Sequence, residues 1–250
     1  MKIRFLFCLL LLFTILSCNE NIYVVKHIDT SYVRMDSVFD GKANPGIVSL
    51  INSYKKQLDT EMNVEIGKTA RALTIDSPDY LLVNLTADAI KQYGDEHAEN
   101  GVDIAFMNIN GHRASLNEGI ITIGDIFRIY TFDNELVLLD LDGEYVEEIF
   151  NSFAEKTPQG FSSNVKLTIQ NRQVNSLTIG GELLDKNKTY KIITLDYLAE
   201  GNDDMSPLKN AIKVTQTGVL LRDMMIDYVK RCFIEGREVD AIADQRITIK

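Results

Sequence analysis

The sequence predicts an α+β fold, with α and β elements mixed, in which mixed sheets and hairpins are packed by helices. Three observations carry this. Segments with helical periodicity are interspersed irregularly with short runs of aliphatic and β-branched residues. Two such runs, 164–169 and 174–180, flank Gln170-Asn171-Arg172-Gln173 as a hairpin. No internal repeat, low-complexity tract or linker interrupts residues 46–250, so one compact domain is expected there, and a doubly wound parallel sheet is not.

The first residues behave differently. Lys2 and Arg4 precede an apolar run from Phe5 to Leu16. That run is too short to span about 30 Å of hydrocarbon as a helix, and its basic-then-apolar order is that of a secretory signal. Ile15-Leu16-Ser17-Cys18 resembles a bacterial lipobox. The expectation is a signal peptide at 1–17, lipid on Cys18, and a tether and entry segment over 19–45. The alternative is a plain signal peptide with a chance cysteine. An acylated Cys18 would hold the protein at a periplasmic or outer-membrane surface without a transmembrane helix. Of the three cysteines, Cys8 leaves with the signal and Cys18 carries lipid. Cys232 then has no partner, and reads as a packed thiol in an amphipathic stretch. The net charge is −10, and loss of Lys2 and Arg4 with the signal makes it −12. Such a surface argues against a nucleic-acid partner.

The elements follow in order. Ile47, Leu50, Ile51, Tyr54 and Leu58 share one helical face. Short β runs are expected at 62–66 and 69–75, and Ser77-Pro78 opens a helix over 80–93. Residues 102–108 are an apolar run of strand length, followed by a loop punctuated at Asn110-Gly111. A short helix is expected after Thr122, a turn at Asp133-Asn134, a strand over 135–143, and a helix over 144–154. After the hairpin, residues 189–198 form a strand running into the polar loop 196–205. A β stretch at 211–216 precedes a helix over 218–231, and 246–250 closes the chain as an edge strand.

No self-contained catalytic machinery is visible. His27, His97 and His112 are the three histidines, none spaced with another as metal ligands, and His97 reads as part of a solvated loop. Neither a GxSxG elbow nor a phosphate-binding glycine loop occurs. Asp196, Glu200, Asp203 and Asp204 do not alternate around a glycine as a calcium loop requires. Judged singly, Arg113 fits a surface arginine, Phe132 a core aromatic and Tyr197 a half-buried strand tyrosine.

Taken in order, however, the motifs resemble the C-terminal, substrate-binding domain of the 5′-nucleotidase and UDP-sugar hydrolase family. The resemblance rests on Ile66-Gly67-Lys68-Thr69, Asn84-Leu85-Thr86-Ala87-Asp88-Ala89, Asn108-Ile109-Asn110-Gly111-His112-Arg113, the stretch 119–150, and 186–204. It implies a nucleobase held between Phe132 and Tyr197. It further implies Asn134 and Asp203 on base or ribose, and Arg113 facing phosphate. Stacking on an aromatic side chain contributes roughly 1–3 kcal/mol per base. Three departures stand out. His112 replaces an isoleucine, Asp133 replaces a glycine, and Asn202 and Asp204 stand where glycines are expected. Side chains there are expected to narrow the pocket, and added acids to repel phosphate.

The family's two-metal phosphoesterase half has no counterpart in this sequence. No catalytic residue, metal or other cofactor is therefore expected in this chain, divalent metals being placed on a partner. The resemblance implies the recognition subunit of a split 5′-nucleotidase, with a separate metallophosphoesterase chain as partner and a nucleotide or nucleoside as ligand. The alternatives are a non-catalytic nucleoside- or nucleotide-binding surface lipoprotein, and a structural relic with a closed pocket.

Overall fold

The structure, a computed structural model, describes residues 24–34, 36–76 and 79–250. Cys18, the lipobox, Ser77 and Pro78 lie outside the described residues. Residues up to Leu50 form one unit and Ile51–Lys250 a second. In the first, residues 24–34 have no regular structure, and a 3-10 turn at Ser37–Lys42 interrupts the expected tether. Helix α1 (Pro45–Met62) starts where the Asn44 side chain accepts from Gly46 N at 2.9 Å. It carries the periodicity read from Ile47 to Leu58, and none of its residues is buried.

Strand β1 (Glu65–Thr69) forms, but the run expected at 69–75 does not. The Thr69 hydroxyl donates to the Arg71 carbonyl at 2.9 Å and turns the chain. Only an isolated bridge, Leu73 to Leu116, survives beyond it. Helix α2 (Leu81–His97) runs past its expected end. Lys91–Asp95, Gln92–Glu96 and Tyr93–His97 are all i,i+4 pairs, and they carry the helix through Gly94. His97 therefore stands in a last helical turn, stacked on Tyr93 at 4.1 Å, and not in a loop.

Strand β2 (Ile104–Met107) is buried at every position, and a 3-10 turn (Ile109–Gly111) follows it. Strand β3 (Gly119–Thr122) leads into helix α3 (Ile123–Ile129) through a capping box, in which Thr122 and Asp125 satisfy each other's backbone N–H groups. Strand β4 (Glu135–Asp142) and helix α4 (Gly143–Glu155) lie close to their expected bounds. After β5 (Gly160–Phe161), strands β6 (Val165–Gln170) and β7 (Gln173–Ile179) make the hairpin. Its turn residues Asn171 and Arg172 both have positive φ, 51° and 61°, the twist a two-residue hairpin turn needs.

Strands β8 (Glu182–Leu183) and β9 (Thr189–Leu195) precede a one-turn helix, α5 (Asp196–Ala199). Tyr197 thus sits on a helical turn instead of a strand end, because the Asp196 carboxylate accepts from Tyr197 N at 2.7 Å. Strand β10 (Lys213–Leu220) overruns the expected helix start. Glu135 accepts from Gly218 N at 2.6 Å and Leu136 O from the Thr217 hydroxyl at 2.7 Å, which keeps the strand on β4. Helix α6 (Leu221–Ile234) and the edge strand β11 (Ile247–Ile249) complete the chain.

A five-stranded mixed sheet has the order β10-β4-β9-β2-β5, and a four-stranded one β11-β6-β7-β8, while β1 and β3 form a two-stranded ribbon. Phe106 of β2 meets Phe150 and Phe153 of α4 at 5.7 and 6.2 Å, and Phe161 of β5 meets Phe150 at 5.4 Å. This aromatic cluster roots α4 on the sheet. Helix α2 packs closely too: a Cβ on Gly94 would lie 2.7 Å from Val102 and 3.2 Å from Ile193. Cys232 is buried, as expected of a packed thiol. Among the described residues, no helix is long and apolar enough to cross a membrane.

Candidate functional site

Sheet register decides which loops meet. Strands β2 and β9 are parallel, with Ala105 beside Ile193, so their C-terminal ends point the same way. Strand β4 is antiparallel to β9, with Leu136 beside Leu195, so the residues entering β4 lie at that same end. Three segments therefore converge: Asn108–Arg113, Tyr130–Asn134 and Asp196–Asp204. These hold all five residues expected to bind ligand, at the end of a sheet where strands change direction.

The first two segments form one wall. Arg113 N donates to Ile129 O at 2.9 Å, and the Arg113 guanidinium lies 5.8 Å from the Phe132 ring centre. Arg113 is exposed, and Phe132 is 50% exposed, so Phe132 is no core aromatic. Asn134 is half-buried, and its carbonyl accepts from Leu221 N at 2.9 Å, joining the wall to the first turn of α6.

Beneath this wall lies a buried polar network. His112 replaces the isoleucine of the family pattern, and it is buried. His112 Nδ1 lies 3.2 Å from Ile109 O. Its Nε2 lies 2.8 Å from the Thr86 hydroxyl, which donates to Leu82 O at 2.8 Å. The Tyr130 hydroxyl is 2.6 Å from the same Thr86 oxygen. Burial pushes the His112 pKa down to about 4 and raises that of Tyr130, so both stay neutral at pH 7. Thr86 of α2 thereby ties the Arg113 loop to the root of the Phe132 segment.

The second wall is built mostly from exposed polar contacts. Tyr197 is 39% exposed, and its hydroxyl donates to Asp203 at 3.3 Å. The Asp203 carboxylate beside it raises the phenol pKa above its ordinary value. The other Asp203 oxygen accepts from the Asn108 side-chain amide at 2.6 Å, which links this wall to the end of β2. Asn202 and Asp204, expected to narrow the pocket, are engaged elsewhere. The Asn202 amide donates back to Tyr197 O at 2.8 Å, and Asp204 pairs with Lys156 at 2.5 Å. Asp133 pairs with Arg222. Both added acids thus have a basic partner, which offsets the repulsion expected of them.

Two residues at this site take no role from the motifs, although Asn108 opens one of them. Asn108 is buried, and its Oδ1 has no hydrogen-bond partner among the described residues. Its place at the end of an apolar strand is a usable signal. Arg222 carries none, since its acid lies 89 positions away. Arg71, the arginine nearest the start of α2 in sequence, is spent on Asp240 and Ala241 O, at 2.7 and 2.5 Å. No three of His, Cys, Asp and Glu converge as metal ligands among the described residues.

Comparison with known proteins gives one answer. The family described as "5′-nucleotidase, C-terminal domain" matches residues 61–210, more than half of the chain. The chain is similar to Protein UshA of Yersinia enterocolitica, 26% identical over 192 residues, which cover 75% of this chain and 35% of that protein. It is also similar to a 5′-nucleotidase of Vibrio vulnificus, at 23% over 195 residues, 76% of this chain and 35% of that protein. The chain therefore spans about a third of the length of these relatives. Among solved structures, a 5′-nucleotidase precursor from Thermus thermophilus shares the fold, with a TM-score of 0.68. It is 23% identical, and the match covers 80% of this chain and 42% of that one. With its motifs in order, its sheet topology shared and most of its length matched, the chain belongs to the 5′-nucleotidase C-terminal domain family.

Proposed function

We propose that this chain recognises a nucleotide for a separate metallophosphoesterase chain, which holds the divalent metals and cleaves the phosphate ester. The observation that carries the reading is a pair of exposed aromatic rings on two loops at one sheet end, each beside a polar group. Phe132 stands against the Arg113 guanidinium, and Tyr197 against the Asp203 carboxylate. A base gains contact from two flat faces, Asp203 accepts from ribose or base, and Arg113 takes an anionic phosphate. Asn134, where β4 begins, supplies a further polar contact at the base or ribose. The exposure of both rings argues against a closed relic. In this reading lipid on Cys18 keeps the chain at a membrane surface.

The test is direct. The full chain is mixed with a metallophosphoesterase encoded beside it, and AMP hydrolysis is followed. A higher kcat/KM than that of the phosphoesterase alone is expected. An unchanged kcat/KM sinks the split-enzyme reading. Calorimetry with adenosine, AMP and UDP-glucose then decides whether the chain is a binding protein in its own right.

A further inference from the structure

We infer that Arg222 is the positioning residue that holds Phe132 as a preset wall of the cleft, acting through Asp133; the inference rests on the nucleotide-recognition reading above. One guanidinium grips the segment on both sides of the ring. Arg222 Nη1 donates to the carbonyls of Tyr130 and Thr131, at 3.1 and 3.5 Å, and Nη2 pairs with the Asp133 carboxylate. Its guanidinium carbon lies 4.3 Å from the Phe127 ring centre, and its side chain is only 11% exposed. The residues before and after Phe132 are therefore bound to the same rigid group on α6. The Phe132 ring itself is left half exposed between them.

The physical consequence is preorganisation. A segment that is free to turn loses conformational entropy when a ligand orders it, and affinity falls accordingly. Here that ordering is already complete, because Leu221 N holds Asn134 O as well. Asp133 is what closes the grip. A glycine at 133, as in the family pattern, would leave Nη2 without its carboxylate and the C-terminal neighbour of Phe132 untethered. Arginine is required on the other side, since two carbonyls and a carboxylate need a planar fork that lysine lacks. The other acid at a glycine position makes no such device. Asp204 and Lys156 are each more than half exposed, and they touch through a single pair of atoms.

Two measurements on the full chain test this: AMP binding by calorimetry, and amide hydrogen exchange in the free protein. Arg222→Ala and Asp133→Gly are each expected to weaken AMP binding about tenfold. The double variant should lose no more than either alone, because both break one grip. Arg222→Lys should recover only part of the loss. In the free protein, exchange at Tyr130–Asn134 should accelerate in both single variants, with β2 and α2 unchanged. Additive losses in the double variant, or native exchange at 130–134 in Arg222→Ala, overturn the inference. If Arg222→Ala does not fold, Asp133→Gly, at an exposed position, carries the same test. Phe132→Ala separates the two readings. Unchanged AMP affinity in that variant defeats nucleotide stacking, while the exchange rates still decide the grip.

Discussion

The two aromatic walls at this sheet end are built by different means. The Phe132 wall stands on a buried hydroxyl–imidazole network and a nearly buried guanidinium, and two backbone hydrogen bonds tie it to α3 and α6. The Tyr197 wall stands on a one-turn helix and a loop in which Gly201, Asp203 and Asp204 all have positive φ, 84°, 52° and 63°. Its polar contacts are mostly exposed, apart from the buried Asn108 amide that holds Asp203. The difference teaches where this site can adapt. A base would meet a face braced by a nearly buried guanidinium on one side and a face tethered through one hydroxyl on the other, and affinity depends more on the face that is better ordered beforehand.

Acid should break the comparison most strongly. His112 has its pKa pushed down to about 4, against an ordinary 6.5, because burial penalises its charged form. Between those values the unfolded chain takes up a proton that the folded chain refuses. Stability therefore falls as pH drops from about 6.5 to 4, by up to about 3 kcal/mol from this one group, and is fully present above 6.5. Denaturant unfolding at pH 7, 5.5 and 4.5 measures the slope, and His112→Leu should flatten it. Equal slopes in the two proteins would remove His112 as the source.

Ligand binding sharpens the comparison next. Phe132→Ala should cost AMP affinity about 2 kcal/mol, since it removes a preset stacking face. Tyr197→Ala should cost less, since that ring is tethered only through its hydroxyl at 3.3 Å from Asp203. Calorimetry gives both values, and the reverse ranking would show that the Tyr197 wall is the rigid one. The smallest effect is expected at the outer ion pair. Lys156→Ala should lower stability by no more than about 0.5 kcal/mol, as both partners are exposed. A larger loss in thermal denaturation would mean that the second wall is held more firmly than its exposure implies.

Much of the fold was legible because it is written locally. Alternation in 135–142 and 165–179, with turn residues at Asn171 and Arg172, needs no distant partner to be read. The misreadings have different causes. His97 became helical through side-chain pairs one turn back, residues 70–75 lost their strand to a threonine turn, and β10 was prolonged by Glu135 and Leu136 of another strand. At the site, Arg113, Phe132, Asn134, Tyr197 and Asp203 were each found by motif and brought to one sheet end. Asn108 was in a motif but without a role, and Arg222 was missed, because their acids lie 95 and 89 positions away.

Taken alone, the amino-acid sequence determined most of the element types, the family and the five side chains that meet at one sheet end. Periodicity, turn chemistry and ordered motifs are properties of neighbours along the chain. What only the tertiary structure decided is the fate of the substituted glycines. Asp133 and Asp204 were expected to crowd the cleft and repel phosphate, and each instead meets a base from elsewhere in the chain. Whether an added carboxylate obstructs a site or braces it depends on the charge it meets in space, and sheet register and helix placement decide that charge.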